Sequence, residues 1–202
     1  MSIKTALITG GASGLGFEFA ELLAKDSFNL FLIDIDAKKL EKTKKKLQEK
    51  YNCDITILAK DLSILNIADE IVEELKNTHV DVLINNAGFG LFGTFSTTDW
   101  QRESAMLHLH ILTTTHLTKL LLPGMVEKGS GKVLNMSSLA AFQPGPLMAI
   151  YYASKAYILS FSEAIANELK GTGVTVTVLC PGQTKTSFQE VVSQETSDNK
   201  IG

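Results

Sequence analysis

Short apolar runs alternate along the chain with longer segments in which apolar residues recur at helical spacing. The first run, Ile3–Thr9, precedes a helical pattern at Leu15–Lys25, and the second, Phe28–Asp34, precedes a lysine-rich one at Ala37–Tyr51. The alternation ends in a sixth short run at Val174–Leu179. The strands and helices predicted between these are Asp54–Leu58, Ile64–Lys76, Val80–Asn85, Asp99–Glu127, Lys132–Ser137 and Tyr151–Lys170.

Six β/α alternations predict an α/β protein with right-handed crossovers and helices on both faces of a parallel sheet. The strands are largely continuous apolar runs, as expected when both sheet faces are covered. We therefore expect a three-layer Rossmann fold, a doubly wound sheet in the strand order 3-2-1-4-5-6. One domain is expected over residues 1–190, followed by a polar tail, 191–202, that is expected to be mobile.

Composition narrows the class of protein. Hydrophobic residues make up 45% and charged residues 20% of the 202, which is ordinary for a soluble globular protein. A net charge of −3 argues against a nucleic-acid partner. No apolar run approaches the roughly 18–20 residues of a membrane span, and the first residues do not resemble a signal peptide. With only two cysteines, a reducing cytoplasm without a membrane partner is the expected location.

A glycine-rich turn, Thr9–Gly16 (TGGASGLG), stands between the first predicted strand and the first predicted helix. Glycines there allow a tight turn and a close approach of the backbone to a pyrophosphate, which the helix N-terminus favours electrostatically. The position of the turn predicts a dinucleotide site, although the spacing differs from the commoner Gly-x-Gly-x-x-Gly. Its candidate cofactor-binding residues are Gly10, Ala12, Ser13, Gly14, Leu15 and Gly16.

Asp34 ends the second predicted strand, 24 residues after Gly10. A carboxylate at this point accepts hydrogen bonds from ribose hydroxyls and repels a 2′-phosphate, which favours NAD. Helix capping is the alternative role for Asp34, but Asp36 is better placed as the cap. Lys38 and Lys39 lie near enough in sequence to pair with a 2′-phosphate, so NADP stays open.

Tyr151 and Lys155 are four residues apart on a predicted helix and therefore share a face. A free phenol titrates near ~10, and a neighbouring ammonium together with an oxidised nicotinamide is expected to lower its pKa. Tyr151 would then exchange a proton with substrate as general acid or base. Ser138 closes the fifth strand, where its hydroxyl would hold a carbonyl oxygen, and Ser137 is its rival because side chains alternate along a strand.

These motifs together resemble the short-chain dehydrogenase/reductase family. The resemblance runs from about Ile3 to Phe188 and rests on the glycine turn, Asn85-Asn86-Ala87-Gly88, Ser138, Tyr151-x-x-x-Lys155 and Pro181-Gly182, in that order. It implies that Tyr151 is the general acid/base, that Lys155 tunes it and binds the nicotinamide ribose, and that Ser138 orients the carbonyl. Further cofactor contacts implied by the resemblance are Asp61, Leu62, Asn85, Ala87, Gly88, Pro181, Gly182, Thr184 and Thr186.

Two features depart from the family pattern. Where the family often has an Asn that holds a water for proton transfer to the Lys, this chain has His110, thirteen residues before Pro123. An imidazole could continue that relay with a pH dependence of its own, or His110 could be a helix histidine without a catalytic role. The chain also stops soon after the predicted nicotinamide loop, so we expect part of the family's C-terminal substrate-binding segment to be absent.

The expected function is therefore hydride transfer between a nicotinamide cofactor and a carbonyl or secondary alcohol, without a metal. Apolar residues after the strands would suit an apolar substrate; they are Phe89, Leu91, Phe92, Phe142, Leu147 and Met148. The alternatives are a weakly active or non-catalytic NAD(P)-binding module and another chemistry, such as epimerisation or dehydration, on the same fold. The resemblance also implies a homodimer or homotetramer.

Overall fold

The computed structural model describes residues 3–76 and 78–182. The strands in these ranges are Thr5–Thr9 (β1), Asn29–Asp34 (β2), Ile55–Ala59 (β3), Val82–Asn85 (β4), Gly131–Met136 (β5) and Val174–Leu179 (β6). All pair in parallel in one sheet of order β3-β2-β1-β4-β5-β6, which confirms the predicted fold and strand order.

Helices connect the strands and cover the sheet. The α-helices are Gly14–Lys25 (α1), Ala37–Gln48 (α2), Ile67–Glu74 (α3), Trp100–Leu107 (α4), Thr114–Lys128 (α5) and Ala149–Glu168 (α6). Within the described residues, none is both long and apolar enough to cross a membrane.

The predicted long helix Asp99–Glu127 is interrupted. A π-helix, His108–Thr113, lies between α4 and α5, and apolar periodicity alone does not reveal it. Threonine hydroxyls bind backbone carbonyls at this point: the Thr114 hydroxyl donates to the Leu109 carbonyl, with 3.2 Å between the oxygens. Such side-chain bonds compete with regular helical ones, and π-turns of this kind are frequent at functional sites.

The core lies on both faces of the sheet because side chains alternate along each strand. On one face Leu7 belongs to a cluster with Ile71 of α3 and Leu117 of α5. On the other, Ile8 belongs to a cluster with Ala20 of α1. Both faces of the central strands are therefore covered by packed apolar side chains.

The carboxyl ends of the central strands meet at one edge of the sheet. Thr9 of β1 is in register with Asn85 of β4, which is in register with Asn135 of β5. Ligands bind at this edge in open parallel sheets. The predicted site residues should therefore lie close together here.

Candidate active site

The glycine turn is built to hold backbone close to backbone. Gly10 and Gly14 have φ angles of +66° and +54°, in the left-handed region that glycine adopts at little cost. A Cβ on Gly16 would collide with the Gly10 carbonyl oxygen and lie 2.7 Å from Nδ2 of Asn86. A side chain at Gly16 would therefore force the turn open.

Asn86 fastens this turn to the end of β4. Its Nδ2 donates to the carbonyl oxygens of Thr9 and Gly10 at 3.0 and 3.1 Å, and the Thr9 hydroxyl accepts from the backbone N–H groups of Asn86 and Ala87. Sequence reasoning missed this role of Thr9 and Asn86. The sequence did offer a signal for it: Thr9 and Asn86 are polar residues at the ends of two strands that are neighbours in the predicted order.

The turn leads into α1 through Ser13. Among the hydrogen bonds of the described residues, the Ser13 side chain makes none that caps the helix, so the first N–H groups of α1 remain available to an anion. Leu15 and Gly16 follow in the first turn of the helix. This open cradle of glycine backbone at a helix N-terminus fits a pyrophosphate.

Asp34 lies half-buried beside the turn, at the end of β2. Its two carboxylate oxygens accept from the backbone N–H groups of Ala12 and Asp36, each at 3.1 Å. The prediction that Asp36 is the helix cap is confirmed, because its carboxylate accepts from the Lys39 N–H at the start of α2. Asp34 is thereby left to orient the glycine turn, with lone pairs to spare for ribose hydroxyls.

The residues after β3 are held in a local turn. Asp61 accepts from the backbone N–H and the hydroxyl of Ser63, and the carbonyl of buried Leu62 accepts from the Thr113 hydroxyl at 2.8 Å. These bonds connect this loop to the π-helix. Both Asp61 and Leu62 lie at the carboxyl edge of the sheet, where the resemblance places an adenine.

The side chain of Asn85 points into the protein interior. Its Nδ2 donates to the Thr118 hydroxyl and to Oδ1 of Asn135, and Asn135 in turn donates to the Ser162 hydroxyl. This buried polar chain ties β4 to β5, α5 and α6. Any contact of Asn85 with a cofactor is therefore left to its backbone, whereas Ala87 and Gly88 follow it in the loop.

Ser138 and Ser137 have different partners. The Ser138 hydroxyl forms a hydrogen bond with the Tyr151 side chain and accepts from the Ala140 N–H at 3.1 Å. Buried Ser137 instead donates to the Lys155 carbonyl oxygen at 2.7 Å. Both serines follow β5, which ends at Met136, and do not lie within it as predicted. Ser138 faces Tyr151, whereas Ser137 packs against α6.

Burial dominates the electrostatics of Tyr151. Desolvation raises the pKa of its hydroxyl above the ordinary value of 10.0, while the hydrogen bond from Ser138 acts to lower it. The expectation that the Lys155 ammonium lowers this pKa does not hold for the chain alone. The ammonium lies over the phenol ring, 5.7 Å from its centroid, and the net pKa shift of Tyr151 is upward.

The whole side chain of Lys155, including its ammonium group, is buried. Its Nζ donates to the Met136 carbonyl oxygen at 3.0 Å, and its exposed fraction is 6%. Desolvation lowers the pKa of Lys155 from 10.5 to about 8. The site therefore holds a desolvated ammonium group, which is unfavourable in free energy, close to the Tyr151 ring.

His110 is also brought to this site, from the π-helix. Its ring makes edge contacts with Tyr151 and Phe89, at centroid distances of 6.0 and 6.1 Å. Burial and the positive charge of Lys155 hold the pKa of His110 well below 6.5, so its imidazole is neutral. Both ring nitrogens have hydrogen-bond partners, Phe89 N–H at Nε2 and the Ser154 hydroxyl at Nδ1.

The loop after β6 lies beside the short 3₁₀-helix that follows Ser138, at Leu139–Phe142. The Leu139 N–H donates to the Pro181 carbonyl, and a Cβ on Gly182 would lie 3.3 Å from the Leu139 side chain. Pro181 and Gly182 thus stand near the candidate site. Thr184 and Thr186 lie outside the described residues.

The apolar side chains predicted to line the site differ in how far they are buried. Leu91 and Met148 line one small cavity together with Leu147, whereas Phe142 is 64% exposed. Leu147 has a φ of +67° and accepts the Gly93 N–H through its carbonyl oxygen, which joins the loops after β4 and before α6. The predicted apolar wall is therefore part core and part surface.

A family model described as short chain dehydrogenase matches residues 4–197. The chain belongs to the short-chain dehydrogenases. The chain is 31% identical over 194 residues to the very-long-chain 3-oxoacyl-CoA reductase of Mus musculus, covering 92% of this chain and 61% of that relative. This short-chain dehydrogenase spans about three fifths of the length of the curated relatives that it matches.

Solved structures of short-chain dehydrogenases share the fold. One is the enzyme from Sphingobium yanoikuyae in complex with NADPH, with a TM-score of 0.89, 28% identity, and coverage of 95% of this chain and 76% of that chain. Another is the short-chain dehydrogenase/reductase from Burkholderia phymatum in complex with NAD, with a TM-score of 0.87, 26% identity, and coverage of 100% and 74%.

Proposed function

We propose that this chain is an oxidoreductase that binds a nicotinamide cofactor and reduces the carbonyl group of an apolar substrate, with Tyr151 as the proton donor. One observation carries the proposal. The Tyr151 hydroxyl is hydrogen-bonded to Ser138, and the buried Lys155 ammonium lies 5.7 Å from the centroid of the Tyr151 ring, at the strand edge that also forms the glycine cradle. A protein that only bound dinucleotides would gain nothing from burying this proton-transfer set.

The cofactor would lie along the carboxyl edge of the sheet. The glycine turn and the first N–H groups of α1 would hold its pyrophosphate, Asp34 its adenosine ribose, and Lys155 its nicotinamide ribose. When bound in reduced form, a nicotinamide supplies the hydride. Because Asp34 is a carboxylate fixed beside the turn, we propose NAD as the preferred cofactor. Relatives of known structure hold NADPH or NAD, so this preference rests on Asp34.

The chain's own residues account for the proton. At neutral pH a phenol whose pKa exceeds 10 is fully protonated, which suits a general acid. Tyr151 gives its proton to the carbonyl oxygen as that oxygen gains negative charge, and the Ser138 hydroxyl holds the same oxygen in place. Lys155 then stabilises the phenolate that remains, since its positive charge lies on the same helix face, 5.7 Å from the ring centroid.

The substrate class follows from the wall of the site. The Phe89 ring packs on His110, which contacts Tyr151, and exposed Phe142 lies in the 3₁₀-helix that follows Ser138. Apolar surface at these two places favours an apolar ketone over a sugar. The name of the mouse relative, a reductase of very-long-chain 3-oxoacyl groups, supports this direction. Epimerisation and dehydration would use the same fold but receive no specific support from these contacts.

Exposed apolar side chains on the helices bear on how the chain associates. We propose a homodimer or homotetramer formed through the segment from α4 to α5 and through α6. The support is that Leu112, in the π-helix between α4 and α5, is exposed, as is Tyr157 of α6, which stacks on half-buried Phe161. Light scattering after gel filtration would show a monomer if this is wrong. A cytoplasmic location is proposed from the composition and the two free thiols, Cys53 and Cys180.

Tyr151→Phe tests the proposed reaction, with Tyr152→Phe as its matched control. Loss of the proton donor should lower kcat for ketone reduction by about 100-fold or more. The dissociation constant for NADH, measured by its fluorescence, should change by less than about 3-fold, or under 1 kcal/mol. The Tyr152 variant should stay near the wild-type rate.

Two results would overturn the proposed reaction. Full activity in the Tyr151 variant would remove Tyr151 from the mechanism. NADH binding by the wild-type chain without turnover of any ketone in a panel of apolar carbonyls would instead favour a binding module.

A further inference from the structure

His110 lies between two parts of the site that are far apart in sequence. Its side chain is almost fully buried, with 2% of the residue exposed, and packs between Phe89 of the loop after β4 and Tyr151 of α6. A buried imidazole of this kind requires hydrogen-bond partners for both nitrogens.

The hydrogen bonds determine which nitrogen has the proton. The Phe89 N–H points at Nε2 of His110, 3.2 Å away, and an N–H can only donate, so Nε2 is the bare acceptor. Nδ1 must then hold the proton of the neutral ring and donate it to the Ser154 hydroxyl at 2.8 Å. Ser154 in turn donates to the Tyr151 carbonyl oxygen at 2.7 Å.

The fit around the ring is close. A Cβ on Gly88 would lie 2.8 Å from Nε2 of His110 and 3.5 Å from Nζ of Lys155. The glycine therefore lets the loop backbone lie directly on the imidazole. The charged and titratable groups beside the ring, Lys155 and Tyr151, both come from α6.

We propose that His110 is a positioning residue: as a neutral Nδ1–H imidazole it ties the Gly88–Phe89 backbone to the Ser154–Tyr151 turn of α6. One nitrogen holds the loop and the other holds the helix, so neither is left to pass protons to Lys155. The proposed role extends the proposed function, since the two parts it joins are the cofactor-facing loop and the proton donor. It replaces the expectation of a proton relay through this side chain.

The tautomer can be observed without any catalysis. The chain contains four histidines, and uniform ¹⁵N-histidine labelling makes each imidazole visible in long-range ¹H–¹⁵N spectra. The His110 signals are those missing from the spectrum of His110→Gln. We expect a protonated Nδ1 and a bare Nε2 at neutral pH. An Nε2–H tautomer or a doubly protonated ring would overturn the proposal, whatever the enzyme activity.

Two substitutions separate the two halves of the tether. A Gln side chain reaches the Nε2 position and retains an acceptor for Phe89 N–H, whereas an Asn side chain reaches the Nδ1 position and retains a donor to Ser154. We expect His110→Gln to keep NADH affinity within about 3-fold while kcat falls about 10-fold, because small displacements of a catalytic group are expensive. We expect His110→Asn to show the reverse split, with weaker NADH binding and a smaller loss of kcat.

Ser154→Ala provides the partner test, and His108→Gln on the same π-helix provides the control. If His110 acts on Tyr151 through Ser154, adding Ser154→Ala to His110→Gln should cause little further loss of kcat. The His108 variant should resemble the wild type.

A proton relay predicts a different pattern. His110→Gln and His110→Asn would then lose kcat alike with unchanged NADH affinity, and imidazole in the buffer would restore the rate. That result would overturn the proposal. If the wild-type chain turned over no ketone, the proposed function would fail, while the tautomer and the NADH affinities would still test the tether.

Discussion

The Lys155 ammonium donates to the carbonyl oxygen of Met136, with 3.0 Å between Nζ and O, at the carboxyl end of β5. This contact holds a positive charge inside the protein under the Tyr151 ring. The pKa of Lys155 is about 8, against an ordinary value of 10.5, because desolvation is the largest influence on it and outweighs the opposing effect of Cys180. The pKa difference corresponds to about 3 kcal/mol of unfavourable free energy at neutral pH.

Lys155→Met should therefore stabilise the fold while abolishing reduction. At pH 7 we expect the free energy of unfolding in urea to rise by about 1–3 kcal/mol, reduced from the full cost because the Met136 carbonyl loses its partner. Since the folded pKa is the lower one, the cost is complete below pH 8 and fades as the pH rises toward 10.5. The gain should shrink over that range.

Lys170→Met, which removes an exposed lysine just after α6, is the control for this change. It should alter the free energy of unfolding by less than about 0.5 kcal/mol at any of these pH values. A Lys155 variant that is less stable than the wild type at pH 7 would contradict the assigned burial cost.

Asp34→Asn should shift cofactor preference. The amide oxygen can still accept from the Ala12 N–H, but the bond from the Asp36 N–H and the negative charge are lost. NADH should therefore bind about 10-fold more weakly, or 1.4 kcal/mol, and NADPH more tightly. Fluorescence titration with both cofactors measures this directly. Asp36→Asn changes the same charge two residues away and retains a good helix cap, so its NADH and NADPH affinities should not change. Equal affinities in wild type and the Asp34 variant would speak against NAD selection by this carboxylate.

Gly16→Ala should damage the cofactor cradle. Because the new methyl group would meet the Gly10 carbonyl oxygen, the turn must open, and we expect NADH affinity to fall at least about 10-fold, equivalent to 1.4 kcal/mol. Gly124→Ala is the matched change inside α5, where the nearest atom is 3.8 Å away. It should leave NADH binding intact and stabilise the fold by up to about 1 kcal/mol. Normal NADH binding in the Gly16 variant would show that the cradle tolerates a side chain.

Asp81 controls acid stability from the opposite edge of the sheet. It accepts from the Thr5 N–H at 2.9 Å and from Lys128 Nζ at 2.7 Å, and His79 lies near the same carboxylate. Burial acts to raise the pKa of Asp81, but these donors outweigh it and hold the pKa below 3.8. The contribution is therefore present above about pH 4 and is lost as the pH falls through the folded pKa.

Asp81→Asn should accordingly lower the free energy of unfolding by about 1–3 kcal/mol at pH 7, with a smaller difference from wild type near pH 3. Urea denaturation at the two pH values measures this. Asp26→Asn, at an exposed position after α1, should show almost no difference at pH 7. If Asp81→Asn lowered the free energy of unfolding equally at both pH values, the loss would come from altered packing and hydrogen bonding and not from the charge of Asp81.

The sheet and its site edge were predictable from sequence because both follow from local rules. Apolar runs between helical patterns indicate parallel strands, and the first of them ends where the glycines begin. Tyr151 and Lys155 share a helix face through their spacing alone. Asp36 was likewise predicted as a cap from its place before α2.

Partners that are remote in the chain were not predictable. Asn86 reaches back 77 residues to Thr9, and His110 joins Phe89 to Ser154 across 21 and 44 residues. No local pattern indicates such bonds, since they exist only after the layers pack. The π-helix was missed for a related reason: its apolar positions resemble those of an ordinary helix.

The sequence by itself determined the order of strands, the glycine turn and the candidate residues for proton transfer, because these depend on periodicity, spacing and side-chain chemistry. The tertiary structure alone decided how those residues behave. Burial raises the pKa of Tyr151, lowers that of Lys155 and keeps His110 neutral, and desolvation depends on atoms contributed by every layer of the fold.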